Sequence, residues 1–345
     1  MVDRYKRLVI EKMIRETHDT GSFVLRPEDA NISAVSGQFL TFLFESFAGH
    51  EIRRSYSLSS SPELNEPLAV TIKRVPNGEI SRLLLERYKE GDVLNTIGAS
   101  GFFVLPDDPA SFHTYMFFAA GSGIVPIFPM IKTLLHLHPS VKVVLIYSNR
   151  NSGDTIFYSQ LKHLQQQFAE NFELHFLYSL SPDLSQSRLT PALLENYVSR
   201  YSSHFKEMLF YLCGPNDYMR MILFTLSIFG VPQTHIRREI FNVQQPSAMQ
   251  VPPDTNEHQV QILAGNEAYN LRVQYPQTIL KAARSHGIEL SFSCETGQCG
   301  TCVAKCLQGT VWMSRNEILL DEDLQKGKVL TCTGYPVHGD VIIKI

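Results

Sequence analysis

Four of the six cysteines have a spacing that could hold iron. Cys294, Cys299 and Cys302 follow the pattern C-x4-C-x2-C, and Cys332 comes further along the chain. This is the ligand spacing of a plant-type [2Fe–2S] cluster, in which four thiolates hold two irons. Glycines between the cysteines let the backbone pass close to a cluster, where a Cβ would crowd it. The N–H groups of such a loop can then bond the cluster and tune its potential.

Two other interpretations of these cysteines are weaker. Zinc sites favour paired C-x2-C knuckles, and the chain has only one C-x2-C, at Cys299–Cys302. Free buried thiols would require four of the six cysteines to cluster by chance. Cys306 has no place in the pattern and is interpreted as a structural thiol. The sequence therefore predicts a cluster that carries single electrons, so the rest of the chain must supply or receive them.

The composition places the chain in a broad class. Its 345 residues allow two or three domains, and the formal net charge of −3 gives no reason to expect nucleic acid or an anionic membrane as a partner. The start of the chain lacks the apolar region of a signal peptide. The uncharged stretch 115–131 contains two glycines and two prolines, so we expect a strand, a turn and a helix start rather than a membrane span. So few cysteines, mostly iron ligands, indicate a reducing compartment, and we expect a cytoplasmic protein.

The pattern of apolar residues divides the chain into three units and a linker. Residues 1–106 show six short apolar or alternating runs between turn residues, which predicts a small antiparallel β-barrel with one helix. Residues 107–245 alternate apolar strands with helical patterns, as in a doubly wound parallel sheet. Residues 246–257 are rich in proline and polar residues and are predicted to be a linker. Residues 258–345 form a third unit, in which two short strands (259–263 and 269–273), a helix (278–286) and the cysteine loop are predicted to lead to a final strand at 340–345.

The first unit carries a candidate flavin site. On a strand, Arg54 and Tyr56 face one way, and Arg suits a phosphate while Tyr suits a flat ring. A cross-strand charge beside an edge aromatic would look the same. The helix opened by Gly78 and Ser81 strengthens the case, because a helix N-terminus binds anions. The strand ending at Lys73 points to that helix, and together these features suit a flavin dinucleotide.

The second unit carries a candidate nucleotide site. A strand runs into the turn Gly121-Ser-Gly123, which could cradle a pyrophosphate, although Pro126 stands where the dinucleotide fingerprint has its third glycine. The next strand ends at Ser148 and Arg150, which suit a ribose 2′-phosphate and so predict NADPH. NADH and a plain surface arginine stay open as alternatives. Cys213-Gly214-Pro215 ends a third strand at the ligand-binding edge, where Cys213 could equally be buried filler.

Taken in order, these motifs resemble the ferredoxin–NADP reductase superfamily. The motifs are R-S-Y-S at 54–57, G-E-I-S at 78–81, G-S-G-I-V-P at 121–126, Y-S-N-R at 147–150, C-G-P at 213–215, R-E-I-F at 238–241 and the cysteine set. More closely, the chain resembles the three-domain reductases with a C-terminal ferredoxin, such as the reductase component of phenylacetyl-CoA epoxidase. The resemblance covers nearly the whole chain and implies a FAD-binding barrel, an α/β NAD(P) domain and an α+β β-grasp ferredoxin domain.

The resemblance also implies roles for the matching residues. On the flavin side, Arg54 would hold the FAD pyrophosphate, Tyr56 would lie against the flavin, Ser57 would reach its N5 edge, and Ile72, Lys73, Gly78 and Ser81 would line the rest. On the nucleotide side, Gly121, Gly123 and Pro126 would underlie the nucleotide, Ser148 and Arg150 would meet its 2′-phosphate, and Cys213, followed by Gly214 and Pro215, would sit beside the nicotinamide. Glu239 and Phe241 would lie near the flavin, and Ser57, Cys213 and Glu239 would be catalytic.

The expected function is that of an FAD-dependent NADPH reductase. Electrons would pass from NADPH through FAD and a [2Fe–2S] cluster to a protein acceptor such as an oxygenase component. One alternative is an NADH-dependent reductase of a Rieske-type ring-hydroxylating oxygenase, and FAD is preferred to FMN on the resemblance alone. A non-enzymatic redox-sensing module is the other alternative, disfavoured because the motifs of all three units are intact. The sequence does not name the acceptor, because docking surfaces carry no motif.

Overall fold

The structure is a computed structural model that describes residues 5–28, 31–45, 49–183, 187–201, 204–241 and 250–345. The chain divides into two compact units, Met1–Phe241 and Asn242–Ile345. The first unit contains a β-barrel and an α/β layer, and the second contains the cysteine loop. This is the predicted three-part architecture.

The barrel consists of six antiparallel strands in the order β4-β3-β6-β1-β2-β5. Backbone pairing of Leu58 with Val70 joins the end of β4 to β5, so the two edges of the sheet meet. Side chains alternate along each strand, and the apolar ones point into the barrel. Leu8, Phe23 and Phe42 are completely buried there. The strands are β1 (Lys6–Thr17), β2 (Thr20–Pro27), β3 (Phe39–Glu45), β4 (Glu51–Ser57), β5 (Leu68–Lys73) and β6 (Val93–Ser100).

One helix, α1 (Glu79–Arg87), packs on the barrel through Ile80 and Leu84. Its N-cap is Gly78, which has extended backbone angles and no capping side chain. Ser81, which the sequence placed with Gly78 at the opening of this helix, lies inside its first turn. Its hydroxyl accepts a hydrogen bond from the N–H of Val75 at 3.1 Å, so it ties the helix to the preceding turn.

The α/β layer is a five-stranded parallel sheet in the order β11-β10-β7-β8-β9, with apolar cores on both faces. Its strands are β7 (Thr114–Ala120), β8 (Lys142–Asn149), β9 (Phe172–Tyr178), β10 (Met208–Cys213) and β11 (Ile236–Glu239). Its helices are α2 (Ile124–Leu137), α3 (Tyr158–Gln167), α4 (Pro191–Ser199) and α5 (Asn216–Ile228). The stretch 115–131 forms β7, a glycine turn and the start of α2, as predicted. Among the described residues, no helix has the length and apolar character required to cross a membrane.

The second unit is a mixed sheet in the order β13-β12-β16-β14-β15 with two helices. The elements are β12 (His258–Ala264), β13 (Glu267–Val273), α6 (Ile279–Ser285), β14 (Val303–Met313), α7 (Asp321–Gln325), β15 (Lys328–Leu330) and β16 (Gly334–Lys344). The sequence predicted β12, β13, α6 and the end of β16, but not β14, β15 or α7. Bulges near Gln308 interrupt the alternation of β14, and a Cβ at Gly309 would lie 2.3 Å from the carbonyl oxygen of Asp340.

The predicted linker, 246–257, lies partly outside the described residues, which begin again at 250. Residues 250–257 form neither helix nor strand, yet Asp254 binds them to the second unit. Its carboxylate accepts hydrogen bonds from His258 Nε2 at 2.7 Å and from the N–H of His338 at 2.8 Å. The hydrogen bonds from the N–H groups of Asn256 and His338 hold the pKa of Asp254 well below its usual value. The end of the predicted linker is therefore held against the second unit. The domain boundaries remain predictions.

Candidate functional site

The last residue of β4 meets the last residue of β11. Ser57 Oγ donates a hydrogen bond to Glu239 Oε2 at 3.2 Å, although the two residues are far apart in sequence. Glu239 is 8% exposed, and burial raises its pKa from 4.5 to about 8, with the Ser57 hydrogen bond acting in the opposite direction. Cys213 pairs with Glu239 across β10 and β11 and is completely buried. Burial, and then the nearby Glu239, raise the pKa of its thiol well above 9, so at neutral pH it stays protonated.

Two glycines bring backbones together beside this pair. A Cβ on Gly123 would lie 2.0 Å from the carbonyl oxygen of Cys213, and a Cβ on Gly214 would lie 3.0 Å from the Cβ of Ala120. The glycine turn after β7 is therefore pressed against the end of β10. Gly121 has a φ of +54° and open space where a Cβ would point, so this part of the turn faces outward. Pro126 is buried in the first turn of α2, where a missing N–H costs no helical hydrogen bond.

The side chains of β4 alternate as predicted. Arg54 is exposed, Tyr56 is half-buried, and burial raises the pKa of Tyr56 to about 12 while the nearby Arg54 charge lowers it. Arg54 Nη1 donates to the carbonyl oxygen of Arg53 at 2.7 Å. On the other side of the strand, the Ser55 and Thr41 hydroxyls hydrogen-bond at 2.8 Å. Arg54 and Tyr56 thus lie close together, one giving a charge and the other a flat ring.

The remaining residues proposed for the flavin lie at the end of β5 and the start of α1. The Ile72 side chain is buried in the barrel core, so only its backbone could contact a ligand. Lys73 Nζ lies 3.4 Å from Asp19 Oδ2. A Cβ on Gly78 would lie 2.6 Å from Ser81 Oγ, so glycine is required there for the turn to close. Phe241, just after β11, is 44% exposed.

The ends of β8 and β9 hold buried polar atoms that the protein does not satisfy. Ser148 Oγ, Asn149 Nδ2 and Tyr178 Oη are buried and make no hydrogen bond of good geometry within the described residues, although Asn149 lies close enough to Tyr147, and Thr155 close enough to Tyr178, to lower the pKa of each tyrosine that burial raises. Burial raises the pKa of Tyr218, and the nearby Ser148 hydroxyl lowers it. The Tyr218 hydroxyl itself donates to the carbonyl oxygen of Ala119 at 3.2 Å. Arg150, directly after β8, is exposed. Unsatisfied buried polar atoms are costly, so this edge fits a polar ligand such as a nucleotide.

Three residues of this edge were missed by the sequence reasoning. Asn149 and Tyr178 are paired across β8 and β9 at their carboxyl ends, and Tyr218 packs its ring against Gly214. The available signal was the position of Asn149 and Tyr178 at the carboxyl ends of strands, and of Tyr218 in the first turn of the helix that follows β10, because ligands bind at this edge of α/β sheets. That signal does not tell which of the polar residues lack a partner.

The four cysteines lie together as two pairs. Hydrogen bonding links the thiols of Cys294 and Cys299, and those of Cys302 and Cys332, in each case with an effect on their pKa values. The hydrogen bond between the first two thiols lowers the pKa of Cys294 and raises that of Cys299. Cys302 and Cys332 are buried, whereas Cys294 and Cys299 are half-buried.

The loop that carries the first three cysteines is shaped by glycine and directs N–H groups at sulfur. Gly297 has a φ of +75°, and a Cβ there would lie 2.5 Å from the carbonyl oxygen of Arg315. The N–H of Gly297 bonds the sulfur of Cys332, and the N–H of Thr296 lies 3.5 Å from Cys294 Sγ. No group of three or more His, Cys, Asp or Glu residues in the described ranges is arranged for a single metal ion. Two sulfur pairs instead fit a centre with two irons, each taking two protein thiolates.

Comparison with known protein families assigns all three parts. Residues 7–104 match the oxidoreductase FAD-binding domain, residues 117–223 the oxidoreductase NAD-binding domain, and residues 265–337 the 2Fe-2S iron-sulfur cluster binding domain. The order is that of the barrel, the α/β layer and the cysteine loop in the structure. The fold and site thus define an oxidoreductase with flavin, pyridine-nucleotide and iron–sulfur domains on one chain.

Similar proteins match almost end to end. The chain is 30% identical to the ferredoxin reductase component of 3-ketosteroid-9-alpha-monooxygenase from Rhodococcus rhodochrous, covering 96% of this chain and 94% of the relative. It is 30% identical to the glycine betaine monooxygenase reductase subunit of Pseudomonas aeruginosa, with 96% and 93% covered. It is 29% identical to one of the subunits of the 1,2-phenylacetyl-CoA epoxidase of Escherichia coli, with 98% and 97% covered. The chain therefore belongs to the family of ferredoxin-reductase-type NAD(P)H oxidoreductases with a C-terminal 2Fe-2S domain.

Solved structures show the same fold at lower identity. Phthalate dioxygenase reductase matches with a TM-score of 0.58 at 20% identity, covering 99% of this chain and 98% of that one. An intact type IV self-sufficient cytochrome P450 monooxygenase matches with a TM-score of 0.73 at 18% identity, covering 99% of this chain and 41% of that one. The second match shows that this three-part arrangement also occurs within a longer polypeptide.

Proposed function

We propose that this protein takes electrons from NADPH and delivers them, through FAD and a [2Fe–2S] cluster, to the oxygenase component of a multicomponent system in a reducing compartment such as the cytoplasm. The observation that carries the proposal is the presence on one chain of all three structures: a barrel, an α/β edge with unsatisfied buried polar atoms, and a loop with two thiol pairs. When bound, the flavin converts a two-electron hydride donor into a source of the single electrons that an iron–sulfur cluster carries.

The roles of the flavin-side residues follow from their positions. Arg54 is an exposed cation suited to a pyrophosphate, and Tyr56 supplies a half-buried ring beside it. Ser57 donates from Oγ to Glu239 Oε2, and the pKa that burial raises keeps the Glu239 carboxyl largely protonated near neutral pH, so this pair holds an exchangeable proton at the reacting edge. The protonated, buried Cys213 packs beside them without acting as a nucleophile.

The nucleotide-side residues bind and orient the nucleotide. The outward-facing Gly121 turn leaves room for a phosphate at the start of α2, where backbone N–H groups favour an anion. The orphaned groups of Ser148, Asn149 and Tyr178 supply hydrogen bonds to the polar part of the nucleotide. Cys294, Cys299, Cys302 and Cys332 hold the cluster, and the N–H groups of their loop bond its sulfur ligands.

Arg150 supports NADPH over NADH. It is exposed at the end of β8, beside the orphaned Ser148 hydroxyl. The nearby carboxylate of Asp154 is already occupied, because it accepts from Asn151 Nδ2 at 3.1 Å and lies 3.4 Å from His18 Nδ1. Arg150 supplies a planar cation at the end of this strand, and a planar cation matches a 2′-phosphate better than a 2′-hydroxyl.

The Arg150→Ala variant tests this preference. Loss of a charge-assisted hydrogen bond of about 1.5–3 kcal/mol should raise the Michaelis constant for NADPH roughly tenfold to a hundredfold. The constant for NADH should change far less, because NADH has no 2′-phosphate. Exposed Arg220 on α5 offers a matched control: Arg220→Ala should leave both constants as they are. Equal effects of Arg150→Ala on the two nucleotides would rule out a role at the 2′-phosphate.

The acceptor is proposed as an oxygenase component because the similar proteins named above serve a ketosteroid monooxygenase, a glycine betaine monooxygenase and a phenylacetyl-CoA epoxidase. Their identities are nearly equal, so they do not select among the three partners. The test is anaerobic mixing of the purified protein with NADPH, followed by optical spectra of the flavin and low-temperature electron paramagnetic resonance of the cluster. Flavin bleaching without any reduced-cluster signal would refute the proposed electron path. Purification of the native complex would then identify the acceptor.

A further inference from the structure

The barrel contacts the α/β layer at a second place besides the Ser57–Glu239 hydrogen bond. The segment that follows β4, residues 58–66, meets helix α2. Ser61, which is completely buried, donates from Oγ to the carbonyl oxygen of Pro129 at 2.9 Å. Lys132 Nζ forms an ion pair with Glu66 Oε2 and lies 3.4 Å from the carbonyl oxygen of Ser59. This segment begins directly after Ser57, so it continues the flavin-side strand.

Further polar contacts lie one turn along the same helix. Glu63 accepts hydrogen bonds from the N–H of Ser36 at 2.8 Å and from Ser36 Oγ at 2.6 Å. The hydroxyl of Thr133, on α2, lies 3.0 Å from Ser36 Oγ and 3.4 Å from Glu63 Oε2. Ser36 and Thr133 are both buried. Because these contacts are directional, they fix orientation in a way that an apolar interface would not.

Glu66 is the centre of this interface. Besides Lys132, its Oε2 atom accepts from the N–H of Ser61 at 2.7 Å, so one carboxylate joins the barrel backbone to the ammonium of α2. The Lys132 side chain is 13% exposed and its ammonium lies 4.7 Å from the ring centre of Phe128. The Glu66 side chain is 34% exposed, so the ion pair is only partly buried; it contributes little net stability, but its charge-assisted hydrogen bonds hold one geometry.

Helix α2 cannot shift independently of the nucleotide site. It begins at Ile124, immediately after the glycine turn, and most of its side chains are buried in the α/β core. Gly123, at its start, lies against the carbonyl oxygen of Cys213. A change in the position of α2 against the barrel therefore moves the whole layer, and with it the turn and Glu239, relative to Ser57.

We propose that Lys132 and Glu66 are positioning residues for hydride transfer: by joining α2 to the segment after β4, they set the distance between the nucleotide turn and the flavin-side strand. This role rests on the proposed function, because it concerns the rate of a transfer between the two sites. Neither residue lies among those assigned to the flavin or the nucleotide. The pair acts through α2 and does not contact the reacting atoms.

The test is the double variant Lys132→Met/Glu66→Met in the full-length, FAD-loaded protein. Replacing both charges by apolar side chains of similar length avoids an uncompensated charge but leaves the N–H of Ser61 without its acceptor, so the thermal midpoint should fall by only a few degrees and the FAD content should change little. The dissociation constant for NADPH should stay within about twofold, because the binding groups are intact. The rate constant for flavin reduction in anaerobic single-turnover mixing should fall about tenfold to a hundredfold, as expected for a misplacement of about 1 Å. Amide exchange at residues 121–125 should accelerate in the nucleotide-free protein.

The matched control removes an exposed ion pair of the barrel, Arg26 with Glu11 at 2.8 Å, by the same two substitutions to Met. It should change neither the rate nor the exchange. An unchanged rate and unchanged exchange in the Lys132/Glu66 double variant would overturn the positioning role while leaving the proposed function intact, because wild-type reduction by NADPH is measured beside it. If the double variant does not fold, Glu66→Gln replaces it, and wild-type rate and exchange in that variant would overturn the role equally.

Discussion

The raised pKa of Glu239 makes the stability of the flavin-free protein depend on pH in a definite direction. The folded chain holds the Glu239 proton up to about pH 8, whereas an unfolded chain releases it near the ordinary value of 4.5. Between these values the folded state binds more protons than the unfolded state. Stability therefore falls as pH rises from about 4.5 to about 8, and is constant, for this group, outside that range.

The size of the effect follows from the same two values. At about 1.4 kcal/mol for each pH unit, the interval from 4.5 to about 8 corresponds to on the order of 5 kcal/mol. No single group can produce a steeper slope than about 1.4 kcal/mol per pH unit. The Glu239→Gln variant removes the titration while keeping the shape and an amide that can bond Ser57. The gap in stability between the variant and the wild type should therefore widen steadily from pH 5 to pH 8.

The assay is urea unfolding of the flavin-free chain at several pH values, followed by far-ultraviolet circular dichroism. The only tryptophan, Trp312, lies in the second unit, so its fluorescence follows that unit separately and should show no difference between the two proteins. Glu11→Gln, which alters an exposed barrel carboxyl, is the control and should parallel the wild type. Parallel pH profiles for wild type and Glu239→Gln would show that Glu239 does not titrate as its burial requires.

Other predictions concern the cluster, the nucleotide turn and the division of the chain. Cys306→Ser should leave two irons per chain whereas Cys332→Ser should lose iron, and the reverse result in iron analysis would disprove the ligand assignment. Gly123→Ala places a Cβ 2.0 Å from the carbonyl oxygen of Cys213, so NADPH binding measured by titration should weaken at least tenfold; unchanged binding would show that the turn can move. A chain ending at Gln245, close to the boundary between the two units, should keep FAD and reduce ferricyanide with NADPH but not cytochrome c at the full-length rate. A folded but flavin-free product would contradict separable units.

Much of the fold could be predicted because its elements have strong local signals. Strands β7, β8 and β10 are continuous apolar runs, and α3 and α5 have helical spacing between turn residues. Strand β14 has no such signal: its sequence VAKCLQGTVWM mixes exposed polar and apolar residues, and its place in the sheet depends on pairing with β16. The short α7 also depends on a contact outside the helix, because Lys328 Nζ donates to Asp323 Oδ1 at 2.7 Å.

The residues of the candidate site differ in the same way: those in local motifs could be predicted, and those that depend on tertiary contacts could not. Cys294, Cys299, Cys302, the glycine turn and Arg54 could be found because each lies in a contiguous motif, and Cys332 because it completes the four ligands of a plant-type cluster. The bond between Ser57 and Glu239 could not, because it joins two strands of different sheets and exists only once the barrel and the α/β layer have packed. The Lys132–Glu66 pair was missed for the same reason. An isolated lysine on a helix and a glutamate in a loop are typical of solvated surface until a tertiary contact buries them.

The buried polar atoms give an independent argument for the position of the nucleotide site. Across the described residues, nearly all buried side-chain donors and acceptors have partners; the exceptions are in Ser148, Asn149, Tyr178 and Tyr335. Each such group costs about 1–3 kcal/mol when left without any partner, so a polar ligand or a water molecule that bonds the first three groups, which share one sheet edge, would stabilise that edge. Nothing in the structure explains Tyr335. The cysteine loop shows the opposite arrangement, because its N–H groups already point at cysteine sulfur. Unsatisfied groups suit a nucleotide that binds and leaves, whereas groups that already have partners suit a cluster that stays bound.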